Sequence, residues 1–153
     1  MKNLADNLAL IAVTLWVGGL WAIGYMVAPA LFSALADRSM AGMLAGKMFT
    51  LIAYAGMACG MYLLLFRLVN SGIAALQQKV FWLVLIMLLL TVAGHFGIQP
   101  VLSSLKAEAM PREVMESAFR NRFATWHGIS SIVYLIESIL GLLLVVQQRG
   151  GSR

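Results

Sequence analysis

His127, Ser130, Tyr134, Glu137 and Gly141 follow one another at steps of three and four residues, with Ser131 and Ser138 flanking the same stripe. In a helix this spacing gathers them on one face. The residues between them are mostly Ile, Leu and Val, so the polar face is expected to point inward. Serine and glycine on such a face let helices approach closely and hydrogen-bond across. Glu137 needs a further reason, because a carboxylate in an apolar run is expensive unless it is protonated or paired. A ligand, a transported proton or a bound cofactor would supply one.

A second polar series, Thr91, His95 and Gln99, steps by four residues. His95 and His127 are the only histidines in the chain. Two neutral imidazoles facing each other across a helical bundle can ligate a b-type haem or a metal ion. Counted from the ends of their apolar runs, the two differ in depth by about 5 Å at 1.5 Å per residue. That offset favours a histidine held by Glu137, Tyr134 or a backbone carbonyl over axial ligation of one iron. Pro100, about one turn beyond His95, is expected to distort the local helix, since it lacks an N–H and its ring crowds the preceding turn.

Further candidates are scattered along the chain. Trp16, Trp21 and Tyr25 share a run with Gly18, Gly19, Gly24 and Pro29. Membrane Trp and Tyr ordinarily mark the water interface. Here they lie deep in the run, which reads either as close packing or as one wall of an internal pocket. Met57 and Met61, one turn apart among ten methionines, are soft ligands of the kind copper takes, or plain apolar filler. Arg120 and Arg122 precede the fourth apolar run, placed to anchor lipid phosphate or to recognise an anionic ligand group. Cys59 stands beside Gly60 and, as a lone cysteine, forms no intrachain disulfide. Nucleotide loops, Ser-His-Asp sets and zinc motifs have no match in the sequence.

What must position these residues is set by composition. Of 153 residues, 61% are apolar and 11% charged, against roughly 25% charged in soluble domains. The chain has too few polar side chains to clothe a water-exposed surface, so lipid must be its solvent. The net charge of +5 comes from Lys and Arg at the ends of apolar runs, where head groups lie, and nucleic acid is excluded as a partner. Four apolar stretches, roughly 8–34, 48–69, 79–105 and 124–147, are long enough to cross a bilayer. Helix is the conformation that pairs their backbone groups internally. Segments 35–47 and 70–78 read as connections. Segment 111–123 reads as an amphipathic interfacial helix, with Pro111 at its start and Met115, Phe119 and Phe123 on one side. Four spans place both termini on one side, and the cytoplasm of a bacterial inner membrane is the expected setting. The Lys and Arg count, five on the terminal side against six on the other, does not set the orientation.

An internal repeat is also visible. Pro29, Leu31, Ser33, Ala36 and Asp37 find Pro100, Leu102, Ser104, Ala107 and Glu108 at an offset of 71 residues. Each copy lies at the exit of an odd-numbered span. Two helical hairpins in the same orientation would be related by an axis along the membrane normal, and a site at that axis, on the side of the prolines, is the expectation.

Trp16-Val17-Gly18-Gly19-Leu20-Trp21, then Tyr25 and Ala28-Pro29 through Phe32, resemble the family that includes eukaryotic transmembrane protein 205. The resemblance continues through Ala41-Gly42, Gly46-Lys47-Met48-Phe49, Pro100, Phe119-Arg120 and His127-Gly128. The first of these elements is also similar to the first helix of copper-resistance D proteins and of HemJ-type protoporphyrinogen oxidases. Those resemblances imply metal or tetrapyrrole handling in a helical membrane bundle. Near Ala9, where HemJ-type proteins carry a histidine, this chain has none, so the resemblance does not extend to that catalysis.

These readings converge on an all-α membrane four-helix bundle, one transmembrane domain made of two tandem hairpins. The expected role is a binding or accessory protein holding a haem, a metal or a small amphiphile through His127, His95, Tyr134, Glu137, Arg120, Trp16 and Tyr25. Haem b or copper are the candidate cofactors, and His127 and His95 their ligands. The competing readings are a proton-coupled transporter using Glu137, a membrane redox or tetrapyrrole enzyme, and a structural subunit of a homo-oligomer or larger membrane complex.

Overall fold

The computed structural model describes residues 2–109 and 117–148, with side chains described over 4–105 and 121–148. Among these residues there is no strand, and four helices are long and apolar enough to cross a membrane: Leu4–Ala34, Arg38–Gln77, Lys79–Leu105 and Asn121–Gln148. They are called the first to fourth spans below. The protein is a polytopic membrane protein with an all-α four-helix bundle fold.

The helices outrun the apolar stretches. The first begins at Lys2, the second at Arg38 and the fourth at Ser117. Segment 35–47 is therefore mostly helical rather than a connection. Asp37 explains this, because its Oδ1 accepts hydrogen bonds from the backbone N–H of Ser39 at 2.8 Å and of Met40 at 3.3 Å. That N-cap satisfies two of the donors a helix start leaves open. Of the expected interfacial helix, residues 111–116 lie outside those described, and the remainder, 117–123, is continuous with the fourth span. Between the second and third spans, Gly72 at φ 53° turns the chain into a 3₁₀ segment, Gly72–Gln77. Side chains tie this turn down. Arg67 donates to Gln78 Oε1 at 2.9 Å, Gln78 donates to Ser71 at 3.0 Å, and Trp82 donates to the Leu76 carbonyl at 2.8 Å.

Both odd-numbered spans break their α-helical register at the same place. Ile23–Val27 and Ala93–Ile98 are π-helical, and each leads into a short α-helix with proline in its first turn, Ala28–Ala34 and Gln99–Ala109. The Ala28 N–H bonds the Ile23 carbonyl, and the Gln99 N–H bonds the Gly94 carbonyl, each five residues back. Proline cannot donate to the carbonyl four residues earlier and its ring crowds it, and slipping into a π turn moves that carbonyl aside. The two bonds are themselves 71 residues apart.

The spans form a ring in which the first and third each pack against the second and fourth. Trp16, fully buried, lies against Gly56 and Gly60 of the second span. A Cβ at Gly60 would meet Trp16 Cη2 at 3.0 Å and Leu88 Cδ1 at 3.2 Å. Gly141 of the fourth span is the counterpart, with Val17 Cγ1 at 3.2 Å and Met87 Cε at 3.4 Å. Small residues at these crossings let the helices approach closely, and at Gly56 the Trp16 ring occupies the space a side chain would need. With Val13, Val84 and Leu144, these residues make the core on the half of the bundle nearer the termini.

Candidate functional site

The other half of the bundle is open inside. A cavity of about 580 Å³ is lined by all four spans, from Leu20 to Phe32, Gly42 to Ala53, Leu90 to Leu102 and His127 to Glu137. It lies on the side of the two prolines, among the ends of the spans remote from the termini.

The fourth span provides its polar wall, and the stripe read from the sequence is graded in burial. Glu137 is 5% exposed at the floor, Tyr134 is half-buried above it, and His127 is exposed nearest the mouth. Ser130 and Ser131 line the cavity between them. Ser138 faces the packed side instead, donating to the Tyr134 carbonyl at 2.8 Å while its own carbonyl accepts from Trp21 Nε1 at 3.3 Å.

Glu137 is hydrogen-bonded to Thr91 of the third span, and Thr91 also bonds the Met87 carbonyl at 2.9 Å. A hydroxyl has one proton. A neutral Glu137 makes both contacts good hydrogen bonds, with its carboxyl donating to Thr91 and Thr91 donating to Met87. No Lys or Arg lines the cavity among the described residues, so an ionised Glu137 would have no cation to offset its burial in a medium of low polarity.

The Tyr134 hydroxyl donates to the Leu20 carbonyl of the first span at 2.5 Å. Gly24 makes this possible, because a Cβ there would sit 2.9 Å from Tyr134 Cζ and displace the ring. Tyr134 also meets Phe49 edge-on with ring centroids 5.2 Å apart, and Tyr25 at 6.2 Å. Tyr25 in turn lies 5.0 Å from Trp21. The π turns position this chemistry, for Gly24 and Tyr25 fall in one and His95 in the other.

His95 is half-buried, with Tyr54 at 4.7 Å and Phe96 at 4.8 Å against its ring. Its Nδ1 is shut off from solvent and has no hydrogen-bond partner among the described residues. The expectation that Glu137, Tyr134 or a carbonyl holds the histidine is thus overturned for that nitrogen: Glu137 pairs with Thr91, and Tyr134 with Leu20. His127 stacks on Phe123 at 5.9 Å, nearly parallel at 8°.

Of the residues singled out by sequence, His127, His95, Tyr134, Glu137 and Tyr25 share the cavity, with Thr91 and Gln99. Trp16 does not line it. Its indole is wholly buried in the core because two glycines of the second span open a slot for it, and its Nε1 has no partner among the described residues. Trp21 is on the outer face, 42% exposed. The Arg120 side chain lies outside the described side chains, and Arg122 is exposed away from the cavity. Met57 is half-buried while Met61 is exposed, so the two do not form a common pair of ligands facing the interior. Among the described residues no three His, Cys, Asp or Glu side chains gather in a metal-binding group. Sequence reasoning missed the whole wall from the second span, Gly42, Ala45, Gly46, Phe49 and Ala53. Its signal was present in Gly42 and Gly46, small residues four apart that keep a helix face shallow.

The fold and cavity together define a class, a four-span membrane bundle enclosing a mostly apolar chamber with one buried acid. Residues 11–111 match the family described as a domain of unknown function, DUF4149, and the chain belongs to that family. No curated protein and no solved structure matches it.

Proposed function

We propose that this chain is a membrane-embedded binding protein that holds a small amphiphilic organic molecule in its interior. The cavity carries the reading: about 580 Å³, reached by every span, apolar over most of its wall, with Glu137, Thr91, Tyr134, His95 and His127 converging on it. Sites for small molecules have this character, roughly 300–1,000 Å³ of apolar surface with a few orienting polar groups. In this reading His127, His95, Tyr134, Glu137 and Tyr25 contact the ligand, and Trp16 supports them by packing beneath the floor.

Gly46 supplies the test. It lines the cavity, yet a Cβ there would meet nothing within 4 Å. Gly46→Leu therefore starts into open space at its Cβ and should extend into ligand space. Protein purified gently from membranes should carry a small molecule detectable by mass spectrometry, and Gly46→Leu should fold normally and lack it. Equal retention by both proteins would overturn the reading.

A haem or metal centre is the second reading, supported by the presence of both histidines in the lining of one cavity. Metal-bound histidines almost always donate their other ring N–H to a protein partner, and the lone Nδ1 of His95 weighs for an organic ligand. A Soret band lost in His127→Ala would move the assignment to haem. Glu137, the one acid lining the chamber among the described residues, also supports proton-coupled transport, for which uptake into proteoliposomes should collapse in Glu137→Gln.

A further inference from the structure

We infer that the molecule this cavity takes is a lipophilic amine, bound as its ammonium ion against Glu137 with displacement of the carboxyl proton. The inference rests on the binding reading above and names the ligand class of that site.

Three features of the chamber point to a cation. Its only acidic side chain is Glu137, at the floor, and no Lys or Arg lines it among the described residues. An anionic ligand would find no Lys or Arg there, whereas an ammonium ion finds a carboxyl group. Second, the chamber wall carries a group of rings. Tyr134, Tyr25 and Phe49 form a connected aromatic group with centroids 5.2 and 6.2 Å apart, and aromatic faces attract cations most strongly where water is excluded. Third, the Nδ1 of His95 is buried without a partner. In the tautomer protonated at Nε2 it is an unused acceptor beside the chamber, which a small rotation of the ring would offer to an ammonium N–H.

Charge is conserved by exchange. In this exchange Glu137 starts as a carboxylic acid hydrogen-bonded to Thr91. An ammonium ion that enters takes the carboxylate as its partner, and the carboxyl proton leaves to solvent, so one positive charge replaces another. The other titratable groups facing the chamber are Tyr25 from the first span, His95 from the third, and His127 and Tyr134 on the fourth. The wall from the second span contributes none among the described residues. Because one proton leaves for each ammonium ion bound, binding should strengthen from mildly acidic to mildly alkaline pH for as long as the amine stays protonated.

Dibenzylamine and dibenzyl ether test this directly, since they share size and shape and differ in the charged nitrogen. Titration calorimetry on the full chain in detergent, against protein-free micelles, should show the amine binding at least about tenfold more tightly than the ether. Repeating it in buffers of different ionisation heat should show release of about one proton per amine bound. Glu137→Gln should abolish both the preference and the proton release while keeping the affinity for the ether, which certifies that the cavity is intact. Glu137→Asp, which retains the carboxyl, should keep the preference. Equal binding of amine and ether by the unaltered protein, or a preference that persists in Glu137→Gln, would overturn the cation inference and leave the amphiphile reading standing. Saturable binding of neither compound, together with unchanged retention of cellular molecules in Gly46→Leu, would overturn both.

Discussion

The two hairpins are built on one frame and finished differently. The offset of 71 residues that joins Pro29 to Pro100 also pairs the buried faces of the odd-numbered spans: Val13 with Val84, Trp16 with Met87, Val17 with Leu88 and Leu20 with Thr91, all buried. In the even-numbered spans, after the longer second connection, Gly60 at an offset of 81 residues corresponds to Gly141, and Leu63 to Leu144. Gly60 faces Trp16 and Leu88, while Gly141 faces Met87 and Val17. Each contact becomes the other when the halves exchange. The difference lies where the cavity begins. The first hairpin has Leu20 and Gly56 where the second has Thr91 and Glu137, and Gly24 where the second has His95. The polar site is thus a one-sided elaboration of a symmetric apolar frame, and the first hairpin contributes bulk to the core.

The strongest way to break this comparison is to remove that bulk. Trp16→Ala should destabilise by about 3–5 kcal/mol, as it deletes the largest wholly buried side chain of the core. Its counterpart Met87→Ala should fall lower in the ~2–5 kcal/mol range expected for Met. Reversible unfolding in mixed micelles measures both, and a larger loss at Met87 would show that the first hairpin is not the principal support.

The glycine crossings should give the next largest effect. Gly60→Ala places a Cβ 3.0 Å from the rigid Trp16 ring, whereas Gly141→Ala meets the flexible end of Met87 and the methyls of Val17 at 3.2–3.4 Å. Overpacking costs about 1–3 kcal/mol, so Gly60→Ala should sit within that range. Gly141→Ala should approach neutrality, because alanine recovers up to about 1 kcal/mol of helix propensity. The same unfolding assay decides it, and equal losses would remove the distinction between the two crossings.

Much of the frame was legible from sequence, and for a physical reason. Crossing a bilayer imposes length and apolarity on each span independently, so hydropathy suffices to find all four. The inward stripe from His127 to Glu137 was legible because a 3.6-residue period belongs to one helix. Pairings between helices carry no such period. Trp16 reads from sequence as either close packing or a pocket wall, because nothing within the first span shows that Gly56 and Gly60 open a slot for it. Thr91 was visible as polar, but its bond to Glu137 joins residues 46 apart in sequence. Helix ends were misplaced for a related reason: hydropathy marks the lipid core, while Asp37 caps a helix that starts ten residues before its apolar stretch.

The polar pair sharpens the comparison further. Thr91→Val alone leaves the buried Glu137 carboxyl without its partner and should cost about 1–3 kcal/mol. Thr91→Val combined with Glu137→Met removes both partners at similar volume, making the second hairpin apolar at this level like the first. The double variant should be within about 1 kcal/mol of the unaltered protein or more stable. It should also lose the retained ligand. That combination, stability kept and binding lost, is the signature of a polar pair held for function. A double variant less stable than Thr91→Val would assign Glu137 a structural role instead.

The smallest effects are expected at the prolines, where the readout is structural. Pro29→Ala and Pro100→Ala each restore an N–H able to reach the carbonyl four residues back, at Tyr25 and Phe96. Both should shorten the π turn toward α-helical register, because the missing donor and the ring clash are what displace those carbonyls. Register moves side chains, so Pro100→Ala should rotate His95 relative to the cavity and weaken ligand retention. Pro29→Ala should act through Gly24 and Tyr25, loosening the Tyr134 bond to Leu20. Amide exchange at Ala28 and Gln99, whose N–H groups make the two π bonds, reads both variants on one scale. Parallel changes at the two sites would support a frame whose halves share a cause for their distortion. If exchange changes at Gln99 and not at Ala28, the first π turn is held by Tyr134 seated on Gly24 rather than by its proline, and the symmetry of the frame ends at the level of the backbone bond.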